Sequence, residues 1–192
     1  MRITGGKFSG LALASLGKGD PGAHLRPTTD RVRESLFSIL THGPFGDALS
    51  DARVLDLFAG SGALGFEALS RGAAQCLFVE QEADAIKAIR ANVTALDARS
   101  RTTVQQASVM SLGPAKAAHD LIILDPPYFT GAANVALDKM TRLGWIGPAT
   151  LVAVETAKTE DVEVKRLEVI TERRVGKAKL SLLKIATDTA SS

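Results

Sequence analysis

Short apolar runs alternate with segments of helical apolar spacing through the middle of this chain. The runs that predict strands lie at 53–58, 75–80, 102–106, 120–125 and 149–156. The segments that predict helices lie at 30–42, 63–71, 82–96 and 132–143, with a further short helix near Pro114. Repeated strand–helix units build a mostly parallel sheet with helices on both faces. The pattern therefore predicts an α/β fold.

The two ends of the chain depart from this alternation. The pattern predicts two strands, at residues 162–175 and 178–185, on either side of Gly176. Too few residues separate them for a crossover helix. We therefore expect a C-terminal antiparallel hairpin, which brings the predicted sheet to seven strands. Near the start, closely spaced glycines interrupt short apolar pieces. Residues 1–25 are thus predicted to form a small β-hairpin arm, and residues 26–192 the main domain.

The composition is that of a protein with a substantial core, since 45% of the 192 residues are hydrophobic and 23% are charged. Uncharged stretches are shorter than the roughly 18 to 20 apolar residues of a membrane span, and the first residues do not form a secretory signal. The single cysteine, Cys76, cannot form an internal disulfide, and the three histidines have no metal-ligand spacing. We expect a cytoplasmic protein without membrane association or metal.

Basic residues concentrate at the two ends of the chain although the net charge is only +2. Residues 1–33 hold six Lys or Arg against two acidic residues, and residues 165–184 hold seven against two. If the two ends meet in space, they form one positive surface suited to a polyanion. If they do not, they are two separate solvated faces, and charge alone does not favour either arrangement.

A glycine-rich loop follows the first predicted strand. Gly60, Gly62 and Gly65 match the G-x-G-x-x-G pattern, in which missing Cβ atoms let the backbone approach a ligand. Glu80 closes the next strand, where its carboxylate can accept both ribose hydroxyl protons. A nucleotide-type ligand is therefore favoured over a turn selected only for tight packing. Asp56, four residues before Gly60, suits the ammonium and sulfonium of S-adenosylmethionine better than a pyrophosphate.

The most apolar strand of the chain runs into Asp125-Pro126-Pro127-Tyr128. Each residue that precedes a proline is held extended, so this segment forms a rigid ledge at the carboxyl end of the sheet. A carboxylate and a backbone carbonyl on the ledge can each accept one N–H of an exocyclic amine, while Tyr128 stacks on the base. The arrangement favours methyl transfer to that amine over a simple strand-end turn with a buried aspartate.

Four stretches of the chain carry a resemblance to a known family, namely 2–6, 25–37, 56–72 and 125–128. They resemble the Rossmann-like class I S-adenosylmethionine-dependent methyltransferases, in particular the RsmD family of bacterial 16S ribosomal RNA guanine-N2 methyltransferases. The glycine loop and the Asp-Pro-Pro-Tyr segment are shared by many amino-methyltransferases. The run 26–37, together with 58–62, is what points to this family.

The resemblance implies S-adenosylmethionine as cofactor and a guanine of 16S RNA as target. The expected cofactor-binding residues are Asp56, Phe58, Gly60, Gly62, Glu80, Gln81, Ser108 and Val109. The expected catalytic residues are Asp125, Pro126 and Tyr128. The basic residues expected to contact RNA are Arg26, Arg31, Arg33, Arg173, Arg174 and Lys177. We expect a monomer that acts on RNA folded within a small-subunit ribosomal particle.

Three other functions compete with this interpretation. A DNA or RNA adenine-N6 methyltransferase could use the same Asp-Pro-Pro-Tyr motif, but such DNA enzymes usually carry a target-recognition domain for which this chain has no room. An NAD-dependent oxidoreductase would need a substrate domain and a group that handles hydride transfer, and we expect the 192 residues to supply neither. A non-catalytic RNA-binding module would not require the ledge.

Overall fold

A computed structural model describes residues 1–14 and 29–187 of the chain. The helices in these ranges are α1 (Asp30–His42), α2 (Ala63–Ser70), α3 (Ala83–Ala95) and α4 (Ala132–Arg142). The strands are β1 (Arg53–Leu57), β2 (Gln75–Glu80), β3 (Thr102–Gln106), β4 (Leu121–Leu124), β5 (Leu151–Ala157), β6 (Leu167–Val175) and β7 (Ala178–Ile185). Short 3-10 turns lie at Arg99–Arg101 and Val109–Ser111. No helix in the described ranges has the length and apolar character needed to cross a membrane.

The strands described form one mixed sheet in the order β3-β2-β1-β4-β5-β7-β6. The first five are parallel, whereas β7 pairs antiparallel with both β5 and β6. The chain leaves β1 towards β2 and β3 and then crosses to β4 on the other side of β1. Ligands of open α/β sheets bind at such a switch point, outside the carboxyl ends of the strands. The predicted seven-stranded Rossmann-like sheet with a C-terminal hairpin is confirmed.

Each face of the sheet carries its own hydrophobic core. Alternate residues of the strands, such as Val54, Leu121 and Leu180, pack with apolar side chains of α1, α2 and α3. The residues between them, such as Leu55 and Ile122, pack with α4. Because both faces are covered, the central strands are apolar throughout rather than alternating. The polar side chains that interrupt these strands therefore need a specific explanation.

Residues 1–14 pack on α2. Ile3 and Phe8 lie in the core shared by α1, α2 and α3, and the Thr4 N–H and hydroxyl both donate to the Glu67 carboxylate, at 2.9 and 2.7 Å. Within 1–14 the β pairing is an isolated antiparallel bridge between Arg2 and Ala12, so a hairpin ladder is not formed there. Residues 15–28 lie outside the described ranges, and the boundary between arm and domain at 25 and 26 stays a prediction.

Two local predictions are wrong. The expected short helix near Pro114 is absent from the described chain, and a 3-10 turn at Val109–Ser111 precedes that position. The backbone there bonds to distant groups, since the Ala115 N–H donates to the Leu143 carbonyl at 2.9 Å. The sixth strand begins at Leu167 rather than at 162, because a turn from the Leu167 N–H to the Val164 carbonyl precedes it.

Candidate active site

The glycine loop between β1 and α2 makes a tight turn that is open on one side. Gly60 has a φ of +54°, and an added Cβ there would meet no atom within 4 Å. At Gly62 and Gly65, by contrast, a Cβ would come within 2.7 Å of the Phe66 ring and 2.3 Å of the Phe78 ring. Gly62 and Gly65 therefore allow α2 to lie against β2. The left-handed backbone of Gly60 lets the chain turn there, and the open space beside Gly60 leaves room for a ligand to approach the backbone.

Phe58, the first residue after β1, also has a left-handed backbone. Its φ is +56°, which residues with a side chain rarely adopt. A left-handed conformation at a bulky residue is costly and clusters at functional sites, where surrounding contacts maintain it. Phe58 is half-buried against the α4 side of the sheet. The turn after β1 is thus held in one strained conformation by the fold.

Glu80 holds the glycine loop to the end of β2. Its Oε2 accepts the Gly60 N–H at 2.8 Å, and its Oε1 accepts the Gln81 and Glu82 N–H groups at 2.7 and 2.9 Å. The side chain is buried, whereas Gln81 is exposed. Glu80 therefore combines the predicted position for a ribose contact with a structural role that the sequence did not reveal.

Asn92 is a further loop-supporting residue that the sequence analysis missed. It is buried on α3, and its Nδ2 donates to the Ser61 carbonyl at 3.1 Å. Its Oδ1 accepts the Ala14 N–H at 2.7 Å, so it joins the glycine loop to the start of the chain. The available signal was a polar residue on the apolar face of the helix that contains Ile89 and Val93.

Asp56 lies beneath the loop. It is buried on β1, and its Oδ2 accepts the Gly65 N–H at 2.9 Å. Burial raises the pKa of the Asp56 carboxyl well above its ordinary value; the Gly65 hydrogen bond opposes this shift, and the charges of Asp125 and Glu80 add to it. The carboxylates of Asp125 and Glu80 thus both act on Asp56 at this end of the sheet. A ligand that carries positive charge fits such a site, as the sulfonium and ammonium of S-adenosylmethionine do.

The raised pKa of Asp56 predicts a specific pH dependence. A folded-state pKa above the unfolded one means that the folded protein binds the extra proton, so stability falls as pH rises from about 3.8 through the raised pKa. Asp56→Asn lacks this titration and keeps an acceptor for Gly65. We expect the free energy of unfolding of the variant, relative to wild type, to increase across this window. Urea unfolding at a series of pH values measures it, and parallel profiles would contradict it.

The Asp-Pro-Pro-Tyr ledge begins directly after β4. Asp125 and Tyr128 are half-buried, Pro126 is buried and Pro127 is exposed. The Thr130 hydroxyl donates to the Pro127 carbonyl at 2.7 Å and closes the turn that follows. The ledge therefore lies beside the loop after β1, at the carboxyl ends of neighbouring parallel strands, as predicted.

Glu155 is the residue of the ledge that the sequence analysis did not identify. The Tyr128 hydroxyl donates to its Oε1 at 2.7 Å, and the side chain is buried on β5. Leu124 pairs with Val154, so the same register continued by one residue brings Glu155, inside β5, level with Asp125, which directly follows β4. The signal was a carboxylate within the otherwise uncharged strand Leu151–Ala157, because a buried carboxylate requires a partner.

The predicted adenine contacts follow β3. Ser108 is half-buried, and its Oγ accepts the Met110 N–H at 3.2 Å at the start of the 3-10 turn. Val109 is buried in the core on the α4 side. The Ala107 N–H donates to the Glu80 carbonyl at 2.9 Å, which places this turn next to the end of β2. The direct contacts of Ser108 and Val109 with adenine stay predictions.

Of the six basic residues predicted to contact RNA, one lies outside the described residues, four are exposed and one is buried. Arg26 lies outside the described residues. The exposed residues are Arg31 on α1 and Arg173, Arg174 and Lys177 on the β6–β7 hairpin. Because α1 packs beside β6, the elements that carry the two basic ends are neighbours. Arg173 lies opposite Leu180 on the α1 side, whereas Arg174 lies opposite Lys179 on the other face. Arg173 and Arg174 therefore do not share one surface.

Arg33 is a correction to the predicted RNA-binding set. Its side chain is fully buried, and its Nη2 donates to the Arg2 carbonyl at 2.6 Å and to Asp30 at 2.7 Å. Its Nε lies 3.3 Å from the carboxylate of Glu67, which is also fully buried. Arg33 thus joins α1 to α2 and the start of the chain, and it is not available to a phosphate.

Removal of Arg33 should therefore reduce stability rather than RNA binding. We expect Arg33→Met to lower the free energy of unfolding by about 3 kcal/mol, because the buried Glu67 loses one of its charge partners. The exposed neighbour Arg31 provides the control, and Arg31→Met should change it by less than about 0.5 kcal/mol. Denaturant unfolding of both variants measures the difference. Equal stability would show that the Arg33–Glu67 pair is dispensable.

A cleft at the opposite edge of the sheet does not match this chemistry. It is lined by residues at the amino ends of the strands, among them Arg53, Arg101 and His119. Burial lowers the pKa of His119 to about 4, so its imidazole is neutral at pH 7. The glycine loop and the ledge, at the carboxyl ends, define the candidate site instead.

The sheet order, the strained glycine loop and the ledge together define a class I S-adenosylmethionine-dependent methyltransferase. The family model described as Conserved hypothetical protein 95 matches residues 1–184. The ribosomal RNA small subunit methyltransferase D of Escherichia coli K12 is 36% identical over 156 residues, which cover 81% of this chain and 74% of that protein. The chain belongs to this family, and the resemblance predicted from the sequence is confirmed.

Two solved structures have folds similar to that of this chain. The structure of yhhF from Escherichia coli superposes with a TM-score of 0.79 at 32% identity and covers 96% of this chain and 97% of its own. An RNA methyltransferase from Salinibacter ruber, solved with S-adenosyl-L-homocysteine, has a TM-score of 0.67 at 14% identity, covering 87% of this chain and 98% of its own. The second likeness concerns the fold alone.

Proposed function

We propose that this protein transfers a methyl group from S-adenosylmethionine to the exocyclic N2 amine of a guanine in 16S ribosomal RNA. The observation that carries the proposal is the ledge, where Asp125 and an anchored Tyr128 lie beside the glycine loop. The Escherichia coli relative is named as a methyltransferase of small-subunit ribosomal RNA, which supports the same substrate here.

The residues of the ledge supply position and charge. S-adenosylmethionine provides an electrophilic methyl group on its sulfonium. The Asp125 carboxylate and the Pro126 carbonyl accept the two N–H groups of the amine and aim its nitrogen at that methyl carbon. As the N–C bond forms and the C–S bond breaks, the nitrogen becomes positive, and Asp125 stabilises this charge and accepts the proton that leaves. Tyr128 stacks on the base and keeps it in plane.

Guanine fits the ledge better than adenine. The Watson–Crick edge of guanine presents N–H donors at both N1 and N2, whereas adenine presents an acceptor at N1. The register of β4 and β5, continued by one residue, brings Glu155 within β5 level with Asp125, which directly follows β4. A carboxylate accepts from the guanine donors and repels the adenine nitrogen. This favours guanine-N2 over the adenine-N6 alternative.

We expect the exposed basic residues near α1 and the hairpin to contact phosphates of the folded RNA. Removal of one such contact should flatten the salt dependence of RNA binding by about 0.7 to 0.9 in log–log slope. The variants are Arg31→Ala, Arg173→Ala and Lys177→Ala, measured by RNA binding between low and high salt. Arg142→Ala is the control, since this exposed residue pairs with Asp138 on α4. A slope as steep as that of wild type in all three variants would remove this surface from the RNA interface.

The substrate is tested with 16S RNA in two forms. A small chain has a limited footprint, so recognition should depend on RNA shape and on a target base that is flipped onto Tyr128. We expect small-subunit particles from cells that lack the enzyme to be methylated more efficiently than protein-free 16S RNA. Mass spectrometry of nucleosides should detect N2-methylguanosine. Equal efficiency on both forms, a methylated adenosine, or a preference for duplex DNA would contradict the proposal.

We further propose that the enzyme acts as a monomer in the cytoplasm, where ribosomal particles assemble. One chain supplies the glycine loop, the three carboxylates beside it and the ledge. Sedimentation at assay concentration should give a mass close to 20.2 kDa.

A further inference from the structure

The residue after the ledge, Phe129, combines two unusual features. Its ring is 70% exposed although aromatic side chains are normally buried, and its backbone has a φ of +59°. A single exposed apolar residue needs no explanation, but a bulky residue in the left-handed conformation does. The strained backbone presents this aromatic ring to solvent directly beside the residues that hold the target base.

A carboxylate maintains the strained conformation. The Phe129 N–H donates to Glu160 Oε2 at 3.0 Å. Glu160 is itself fixed after β5, because its N–H donates to the Ala157 carbonyl at 2.9 Å and its carbonyl accepts the Thr156 hydroxyl at 3.2 Å. The segment after β5 therefore sets the position of Phe129, and strain maintained in this way is typical of functional sites.

The two aromatic rings are nearly perpendicular. The Tyr128 and Phe129 ring centroids lie 6.3 Å apart, with an interplanar angle of 81°. A base stacked on Tyr128 and a second base stacked on Phe129 would then lie in planes at nearly a right angle. Neighbouring bases in a helical stack are parallel, so this geometry accommodates a target base that has been turned away from its neighbour.

We propose that Phe129 is a stacking platform for the nucleobase next to the target guanine in the RNA strand. The inference rests on the proposed function and extends it to a second nucleotide. A nucleobase is the partner that fits, because every base has a π-face and stacking on an exposed aromatic tolerates any sequence. Phe129 would hold the neighbour while Tyr128 receives the flipped guanine.

The protein side of this contact is tested by changing the ring alone. Phe129→Leu keeps an apolar side chain on the strained backbone but removes the π-face, whereas Phe129→Trp retains one. We expect Phe129→Leu to raise KM for small-subunit particles by about 5- to 100-fold, with kcat and cofactor affinity within about twofold. Phe129→Trp should stay near wild type. Leu11→Ala, which alters an exposed apolar residue away from the ledge, is the control.

The RNA side is tested by removing one neighbouring base. Particles are reconstituted with 16S RNA in which the nucleotide 5′ or 3′ of the target is abasic. We expect one of these changes to raise KM for the wild type and to leave KM for Phe129→Leu unchanged. If wild type methylates guanine and Phe129→Leu has a normal KM, the inference is overturned while the proposed function stands. If wild type methylates no guanine in any particle, both are overturned.

Discussion

Replacement of Asp125 with alanine is expected to lower kcat for methyl transfer by at least about 100-fold while cofactor affinity stays nearly unchanged. This carboxylate is assigned to the target amine, where it orients the nitrogen and stabilises the charge that develops on it. The cofactor is assigned to the loop after β1 and to Glu80. Removal of Asp125 also relieves one of the repulsions that raise the pKa of Asp56, so Asp56 ionises more readily and offsets the loss of one negative charge near a cationic ligand.

The control for this experiment is Asp138→Ala, which removes an exposed aspartate of α4 that pairs with Arg142. Single-turnover methylation measures the chemical step, and titration calorimetry with S-adenosylmethionine measures affinity. Near-normal turnover of Asp125→Ala would show that another group holds the amine. A large loss of affinity without loss of turnover would place Asp125 in the cofactor site instead.

Replacement of Glu80 with alanine should have the opposite signature. We expect the affinity for S-adenosylmethionine to fall by about 1.5 to 3 kcal/mol, or roughly 10- to 150-fold, because a charged hydrogen bond to the ribose is lost. The same change removes the acceptor of three backbone N–H groups, including that of Gly60. The measured loss therefore includes any loosening of the loop.

Two further variants separate these contributions. Glu80→Gln keeps a neutral acceptor for the backbone and should retain more affinity than Glu80→Ala. Glu82→Ala removes the exposed neighbour and should bind the cofactor as wild type does. Calorimetry measures affinity, and thermal unfolding without cofactor reports on the loop. Unchanged affinity of Glu80→Ala would move the ribose contact to another residue.

The sequence predicted those parts of the fold and site that local patterns determine. Strand and helix periodicity located all four helices and seven strands of the described chain. The glycine loop and the ledge were predicted because glycine and proline restrict the backbone wherever they occur. The wrong helix near Pro114 arose because its backbone bonds to residues after α4, which no local pattern reveals.

Side chains with two chemically plausible environments were harder to assign. Arg33 stands three, four and seven residues before Leu36, Phe37 and Leu40, a spacing that places it on the buried face of α1. Its partner Glu67 lies on another helix, so a basic run alone could not distinguish an interior arginine from an RNA contact. Glu155 was missed for the same reason, because its hydrogen-bond partner Tyr128 belongs to a different element.

The attachment of residues 1–14 to α2 has a consequence for amide hydrogen exchange. The N–H groups of Thr4, Lys7 and Phe8 donate to Glu67 and Ser70, at the far side of the helix that follows the glycine loop. Local opening of that helix would release these amides together, although they lie more than 60 residues away in the chain. Deuterium uptake at the first residues of the protein therefore reports on local opening of α2, the helix that follows the glycine loop.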